Sequence, residues 1–503
     1  MAAGARLALV CVLIHLAAIR DTISSPAPAP QPTATIKSFV TRNGTQLEAG
    51  GKPYFFTGFN NYYLPTYAAT PSERTTEVDA VISEAEKLGL KALRTWAFSD
   101  GQQWNAIQPQ LGQLNETVLS QGLDYVVTQA AAHGMRLILT FTNYLAAYGG
   151  AQQYVNWYGG GTITDFWQRS DIRDGFKKYV RSIVLRNNTL TGRLYRDEPA
   201  ILAWDLVNEP FNYGDDSGKV LTAWINDMST FVKGIDPNHL VMANTWGYFG
   251  ASTPQLLAQN PTDVSAVAFL DTVLFPAARI CHGEDSSAIL SLRNIDLASM
   301  HIYPEYWSFC TQDCNPHLEG IGAFTLQANL SQQGFYQLCS TDCRISFLRK
   351  WIQAHLQECT RIGKPLVIGE FGSQRPMEVR NAFYAALYDE LMKAKQAGQP
   401  IAGSLFWILE SPAHPDYDTY SIYDTASNYP QNPQKPVPLP PAAPACNAAP
   451  GFDFYNEKAY ERCASARIPV PFNPSVDILS DGWQDTLDLI SKQAALLTDE
   501  AQS

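Results

Sequence analysis

The sequence predicts an α/β protein: a (β/α)8 TIM barrel with long loops and a C-terminal extension. Three observations carry that expectation. Apolar runs of strand length alternate with amphipathic helical patterns from residue 36 to about residue 427, the signature of parallel strands joined by crossover helices. Eight such runs can be counted, the number that closes a barrel. No G-x-G-x-x-G follows any of them, so a doubly wound sheet has no comparable support.

Taken in order, residues 1–25 have the form of a secretory signal: Arg6, an apolar run from Leu7 to Ile19, and small residues at Ala17-Ala18. The run falls short of the roughly 18–20 residues a membrane span needs, and no later stretch reaches that length. Residues 26–35 are rich in Pro, Ala and Thr and read as an extended lead-in. The expected strands are Tyr54–Phe59, Leu90–Trp96, Arg136–Thr142, Ile201–Val207, Leu240–Asn244, Leu297–Tyr303, Leu366–Phe371 and Gly403–Leu409. Between them lie helical repeats such as Val78, Val81, Ile82, Ala85 and Leu88, closed by Gly89. Phe176, Tyr179, Val180, Ile183 and Val184 form another; Phe347, Leu348, Trp351, Ile352, Leu356 and Cys359, stopped by Gly363, form a third. Residues 428–503 make the extension: a Pro/Ala-dense segment to Ala445, two cysteines, then a polar, partly helical tail from Gly482 to Leu497 that packs on the barrel or hangs free.

Composition agrees with a large core, since 46% of the 503 residues are hydrophobic and 12% aromatic. The net charge of −12 argues against nucleic acid and anionic membrane surfaces as partners. Of nine cysteines, Cys11 leaves with the signal. The remaining even number in an exported chain predicts disulfides, with Cys446 and Cys463 expected to pair as the two in the tail. The C-x3-C spacing of Cys310/Cys314 and Cys339/Cys343 also admits zinc, but export favours oxidised thiols over a metal site. Sequons at Asn43, Asn115, Asn187 and Asn329 are compatible with glycosylation.

Chemistry concentrates at the strand ends. Pro365-Leu366-Val367-Ile368-Gly369-Glu370-Phe371-Gly372 delivers a carboxylate at the end of a buried strand, and Ile201-Leu202-Ala203-Trp204-Asp205-Leu206-Val207-Asn208-Glu209-Pro210 does the same. A buried ionised Glu is costly unless a site uses it. Either glutamate alone could be an ordinary loop residue; two in the same context are the equipment of glycoside hydrolysis. The other strand ends add Asn60-Asn61-Tyr62-Tyr63, Arg94-Thr95-Trp96, Asn143-Tyr144, Thr245-Trp246-Gly247, His301-Ile302-Tyr303 and Trp407. In a barrel these converge on one face.

Arg94, Asn208-Glu209-Pro210, His301-x-Tyr303, Gly369-Glu370-Phe371 and Trp407 resemble the retaining enzymes of glycoside hydrolase family 5. More narrowly, Thr57-Gly58-Phe59-Asn60-Asn61-Tyr62-Tyr63, Arg94-Thr95-Trp96-Ala97-Phe98-Ser99-Asp100-Gly101 and Trp204-Asp205-Leu206-Val207-Asn208-Glu209-Pro210 look like plant and fungal endo-β-1,4-mannanases, over roughly residues 36–425. The resemblance implies Glu209 as general acid/base and Glu370 as nucleophile. It implies Arg94 and Tyr303 as groups that keep Glu370 ionised, Asn208 on the sugar 2-hydroxyl, His301 beside Glu209, and Trp96 and Trp407 as sugar-facing aromatics. It further implies an exported, extracellular monomer acting on β-mannan, with no cofactor and no metal. A β-glucanase or transglycosylase on the same barrel, or a non-catalytic polysaccharide binder, are the alternatives. Two departures stand out. Where the family usually carries Asn-Asn-Trp after strand three, this chain has Asn143-Tyr144-Leu145. Where it usually carries a Glu after strand five, this chain has Trp246.

Overall fold

A computed structural model describes residues 36–213, 215–261, 283–304, 341–373, 377–411, 414, 420–422 and 482–499. The chain enters through a three-stranded antiparallel sheet, β1 (Val40–Asn43), β2 (Gln46–Ala49) and β3 (Lys52–Tyr54). The barrel strands follow: β4 (Phe56–Asn60), β5 (Ala92–Trp96), β6 (Arg136–Thr140), β7 (Ile201–Asn208), β8 (Leu240–Asn244), β9 (Ala298–Ile302), β10 (Leu366–Phe371) and β11 (Ile401–Phe406). They pair in parallel in the order β8-β7-β6-β5-β4-β11-β10-β9. The ring closes between β8 and β9. There Asp296 N–H donates to the Val241 carbonyl at 2.8 Å, Val241 N–H donates back to Asp296 Oδ2 at 2.9 Å, and His301 N–H reaches the Trp246 carbonyl at 3.4 Å.

All eight expected strands exist, with ends shifted by a few residues. The first starts at Phe56 instead of Tyr54 because Tyr54 is paired antiparallel with Leu47. That entry sheet is new relative to the sequence reading. It caps the N-terminal mouth of the barrel: Val40 and Leu47 pack with Phe56, Ile138, Met242 and Val367 in an interior cluster.

The helices form the outer layer: α1 (Ala80–Lys87), α2 (Asp124–Ala132), α3 (Ser170–Val184), α4 (Lys219–Ile235), α5 (Ser286–Ser291), α6 (Thr341–Ile362), α7 (Met377–Gln396) and α8 (Gly482–Asp499). Each long helix buries one stripe, as its apolar spacing dictates. In α3 that stripe is Ile172, Phe176, Tyr179, Val180, Ile183 and Val184. Gly363 (φ +81°) ends α6 in the left-handed conformation that glycine adopts without strain. The tail helix α8 packs into this ring. Leu487 and Ile490 join the main core, Thr486 bonds Asn381 of α7, and Ala494 lies over Gly89 behind α1. It therefore fills the place between α7 and α1, after the last strand, and does not hang free.

Cys359 is a buried free thiol within α6. Residues 1–35, the segment from Asn428 to Ala445, Cys446 and Cys463, and the C-x3-C pair Cys310/Cys314 lie outside the described residues, as do Cys339 and the side chain of Cys343. Among the described residues no helix is long and apolar enough to cross a membrane.

Candidate active site

The C-terminal ends of β4, β5, β7, β8, β9 and β10 meet around one buried guanidinium. Arg94, at 1% exposure, has its donors spread over four partners. Nε donates to Asp205 Oδ2 (3.0 Å), Nη1 to Asn60 Oδ1 (3.0 Å) and Glu370 Oε1 (2.6 Å), and Nη2 to Asn208 Oδ1 (2.6 Å). A buried cation is tolerated when paired and fully hydrogen-bonded. Asp205, itself buried, is further held by Thr140 Oγ1 (2.8 Å) and the Asn244 N–H (3.0 Å).

Glu370 receives a second donor from the Tyr303 hydroxyl on Oε2 at 2.8 Å. Burial keeps that hydroxyl protonated, raising its pKa well above the usual phenol value. Gly369 lets the carboxylate come this close: a side chain there would run into Asn244 and Ser299. Glu209 sits past a register irregularity in β7 with φ +47°, a left-handed conformation that costs a non-glycine residue about 1–3 kcal/mol and recurs at functional sites. Its N–H donates to the Asn244 carbonyl (2.8 Å), and its Oε1 lies 2.6 Å from His301 Nδ1. The same Nδ1 is 3.5 Å from Glu370 Oε2.

The two carboxyls thus have different surroundings. Burial raises Glu209 to about 8, with the Arg94 charge opposing. Burial also raises Glu370, and there His301 when protonated, Arg94 and the Tyr303 hydrogen bond oppose the rise while the Glu209 charge adds to it. His301 is pushed down to about 4 by burial and is neutral at neutral pH. The full positive charge nearest Glu370 is therefore Arg94, which contacts it directly and does not contact Glu209. Like charges so close cannot both form cheaply, and the first negative charge of the pair belongs on Glu370. Glu209, His301 and Glu370 each place one ligand atom within 4.8 Å of the others, a spacing that could also hold a cation. Both oxygens of Glu370 are already taken by Arg94 and Tyr303, so the cluster is better suited to moving protons than to holding a metal.

The structure brings together Arg94, Asn208, Glu209, His301, Tyr303 and Glu370. Asn208 uses one amide hydrogen on Asn143 Oδ1 (3.1 Å), leaving the other for a ligand. The aromatics divide. Trp407 is half-buried and lies parallel to Tyr62, with centroids 5.7 Å apart and 12° between planes. Trp96 is buried behind that pair, against Tyr62 (5.4 Å) and Phe98 (5.0 Å), and presents little open face. Trp246 stands beside the acid pair, 5.9 Å from the His301 ring and 6.1 Å from Tyr303. Leu145 is 42% exposed.

Sequence reasoning did not single out Asp205, Asn60, Asn244 or Tyr62 as partners. For Asp205 the signal was present, an acid inside a fully apolar strand that must find a cation. Glu284 was also missed. Buried and raised to about 8, it accepts the Gly247 N–H at 2.9 Å and so holds the loop that carries Trp246.

With this geometry in view, the comparisons are consistent with one another. A family profile described as GH family 5 beta-mannosidase-like matches residues 37–272. A mannan endo-1,4-beta-mannosidase 5 of Solanum lycopersicum is 34% identical over 396 residues, covering 76% of this chain and 84% of the relative. A mannan endo-1,4-beta-mannosidase 8 of Oryza sativa subsp. japonica is 36% identical, covering 76% of this chain and 94% of its own length. Among solved structures, the hyperthermostable endo-1,4-beta-D-mannanase of Thermotoga petrophila RKU-1 superposes with a TM-score of 0.59 at 29% identity, over 74% of this chain and 96% of that one.

Proposed function

The chain belongs to glycoside hydrolase family 5, and from that premise we propose that it is an endo-β-1,4-mannanase that cleaves mannans with retention of anomeric configuration. One observation carries the reading: two buried strand-end carboxyls, an oxygen of each within 4.8 Å of the other, of which only Glu370 is bonded directly to Arg94 and Tyr303 while Glu209 pairs with His301. That separation suits the roughly 5–5.5 Å pair of a retaining enzyme and leaves no room for the water an inverting pair admits at about 6.5–9.5 Å.

In the first step Glu370, held by Arg94 and Tyr303, attacks the anomeric carbon. Glu209 gives its proton to the departing oxygen. The glycosyl–Glu370 ester forms and the reducing-side fragment leaves. In the second step Glu209, now ionised, takes a proton from water, whose oxygen attacks the anomeric carbon and releases Glu370. His301 suits both states of Glu209: its neutral Nδ1 accepts from the acid in one tautomer and donates to the carboxylate in the other. Asn208 is placed to meet the sugar 2-hydroxyl, a contact that strengthens toward the transition state. The site needs no residue from a second copy, and the protein is taken to act as a monomer. Export rests on the signal-like residues 1–25.

Reducing-sugar release from pure mannan, glucomannan, galactomannan, cellulose and mixed-linkage glucan tests the proposal. Release from the mannans is the expected result. Preference for the glucans, or transfer products in place of free sugars, would assign the barrel to the neighbouring activities.

A further inference from the structure

One aromatic side chain near the catalytic face is presented openly on a rigid support. Trp104 is 54% exposed, in the loop that follows β5. Scattered surface aromatics need no explanation in general, but three observations set this one apart. The first is its support. Asn105 beside it holds φ +50° and pins the turn by donating to the Thr66 carbonyl and to Thr70 Oγ1, both at 2.9 Å. Ala106 and Ile107 then return directly to the core. The indole is thus turned outward on a fixed loop.

The second observation is continuity with the site. Trp104 meets Tyr67 edge-on at 4.9 Å, and Tyr67 packs on Tyr63 at 4.9 Å. Tyr63 meets Tyr62 at 5.5 Å, and Tyr62 stacks on Trp407. These ring contacts run above β11, β4 and β5, through the buried Tyr63, whereas Glu209 stands at the end of β7, across the barrel from β11. Since Glu209 protonates the leaving oxygen, the departing fragment lies on its side and the retained, nonreducing fragment extends toward Trp407 and Trp104.

The third observation is chemical. From Gly101 to Asn115 there is no charged side chain, and the loop exposes four amides (Gln102, Gln103, Gln110 and Gln113), while Gln108 is buried on Asp100 and Tyr154. An apolar ring face set among uncharged donors and acceptors matches a neutral, polyhydroxylated chain.

We propose that Trp104 is a distal sugar platform on the nonreducing side of the cleft, stacking a ring of a long β-1,4-linked hexose chain beyond the sugar at Glu370. This rests on the mannanase reading above. The test is calorimetric binding of mannohexaose and mannotriose to the Glu370→Ala protein with and without Trp104→Ala, alongside hydrolysis of mannohexaose by the wild type. The expected result is that Trp104→Ala weakens hexaose binding about three- to tenfold more than triose binding, the scale of one aromatic contact, and that Trp104→Phe restores most of the difference. Trp104 lies at an exposed position, and unchanged circular dichroism checks that the variant is folded. Hexaose that is cleaved and bound, with an unaltered hexaose-to-triose ratio, overturns the platform alone. Mannohexaose that is neither cleaved nor bound overturns the mannanase reading and the platform with it.

Discussion

Glu209 and Glu370 share one neutral imidazole, and what separates their roles is which of them touches Arg94. Replacing Glu370 by Ala removes the proposed nucleophile, and steady-state assays should show a loss of at least about 10³-fold. Glu209→Ala should be comparably severe on mannan but much milder on an aryl glycoside, whose leaving group needs little protonation. Equal losses on both substrates would remove Glu209 from the acid/base role. The pH profile has a definite sign. Glu209 must enter the first step protonated, so kcat/KM should fall as pH rises through about 8, and Glu209→Gln should abolish that limb. On the acid side, activity should fall as Glu370 gains a proton. Asp205→Asn leaves Arg94 with one fewer negative partner and should lower kcat with little change in KM.

The strand ends carry these residues, and at this scale the two departures from related sequences become testable. Trp246, on the loop after β8, packs against His301 and Tyr303, the residues that bond Glu209 and Glu370, and we propose that it serves the leaving-group side. Trp246→Glu should therefore shift the cleavage position on mannopentaose, read by chromatography of the products. Leu145→Trp should strengthen short-oligosaccharide binding by about 1 kcal/mol. If neither changes product distribution or KM, both positions lie outside the cleft. The barrel strands were legible because each is a short, mainly apolar segment buried along its whole length, as doubly covered parallel strands are. The entry sheet was not: Val40–Asn43, Gln46–Ala49 and Lys52–Tyr54 are short and largely polar, and their pairing is set by turns instead of by apolar periodicity. The carboxylate pair was legible for the converse reason, because an acid ending an apolar run is conspicuous. The polar web of Asn60, Asp205 and Asn244 around Arg94 was not, since it joins side chains far apart in sequence across the barrel interior.

For the whole molecule, the ring of helices is completed from the end of the chain. The sequence left α8 free to pack or to hang, because a long segment separates it from β11 and its own pattern does not say what it covers. Leu487 and Ile490 place it between α7 and α1, against the main core. Ile490→Ala should then cost about 2–5 kcal/mol in urea unfolding, as core truncations do, while leaving KM unaltered in the folded enzyme. A change below about 0.5 kcal/mol would mean that the tail is not part of the cooperative fold. The account's central claim is that Glu209 and Glu370 act as a retaining pair on mannan. Proton NMR of the anomeric signals during the first minutes of mannohexaose hydrolysis tests it most directly. The new reducing ends should appear first as the β-anomer and convert slowly to the equilibrium mixture. Initial appearance of the α-anomer would contradict the account.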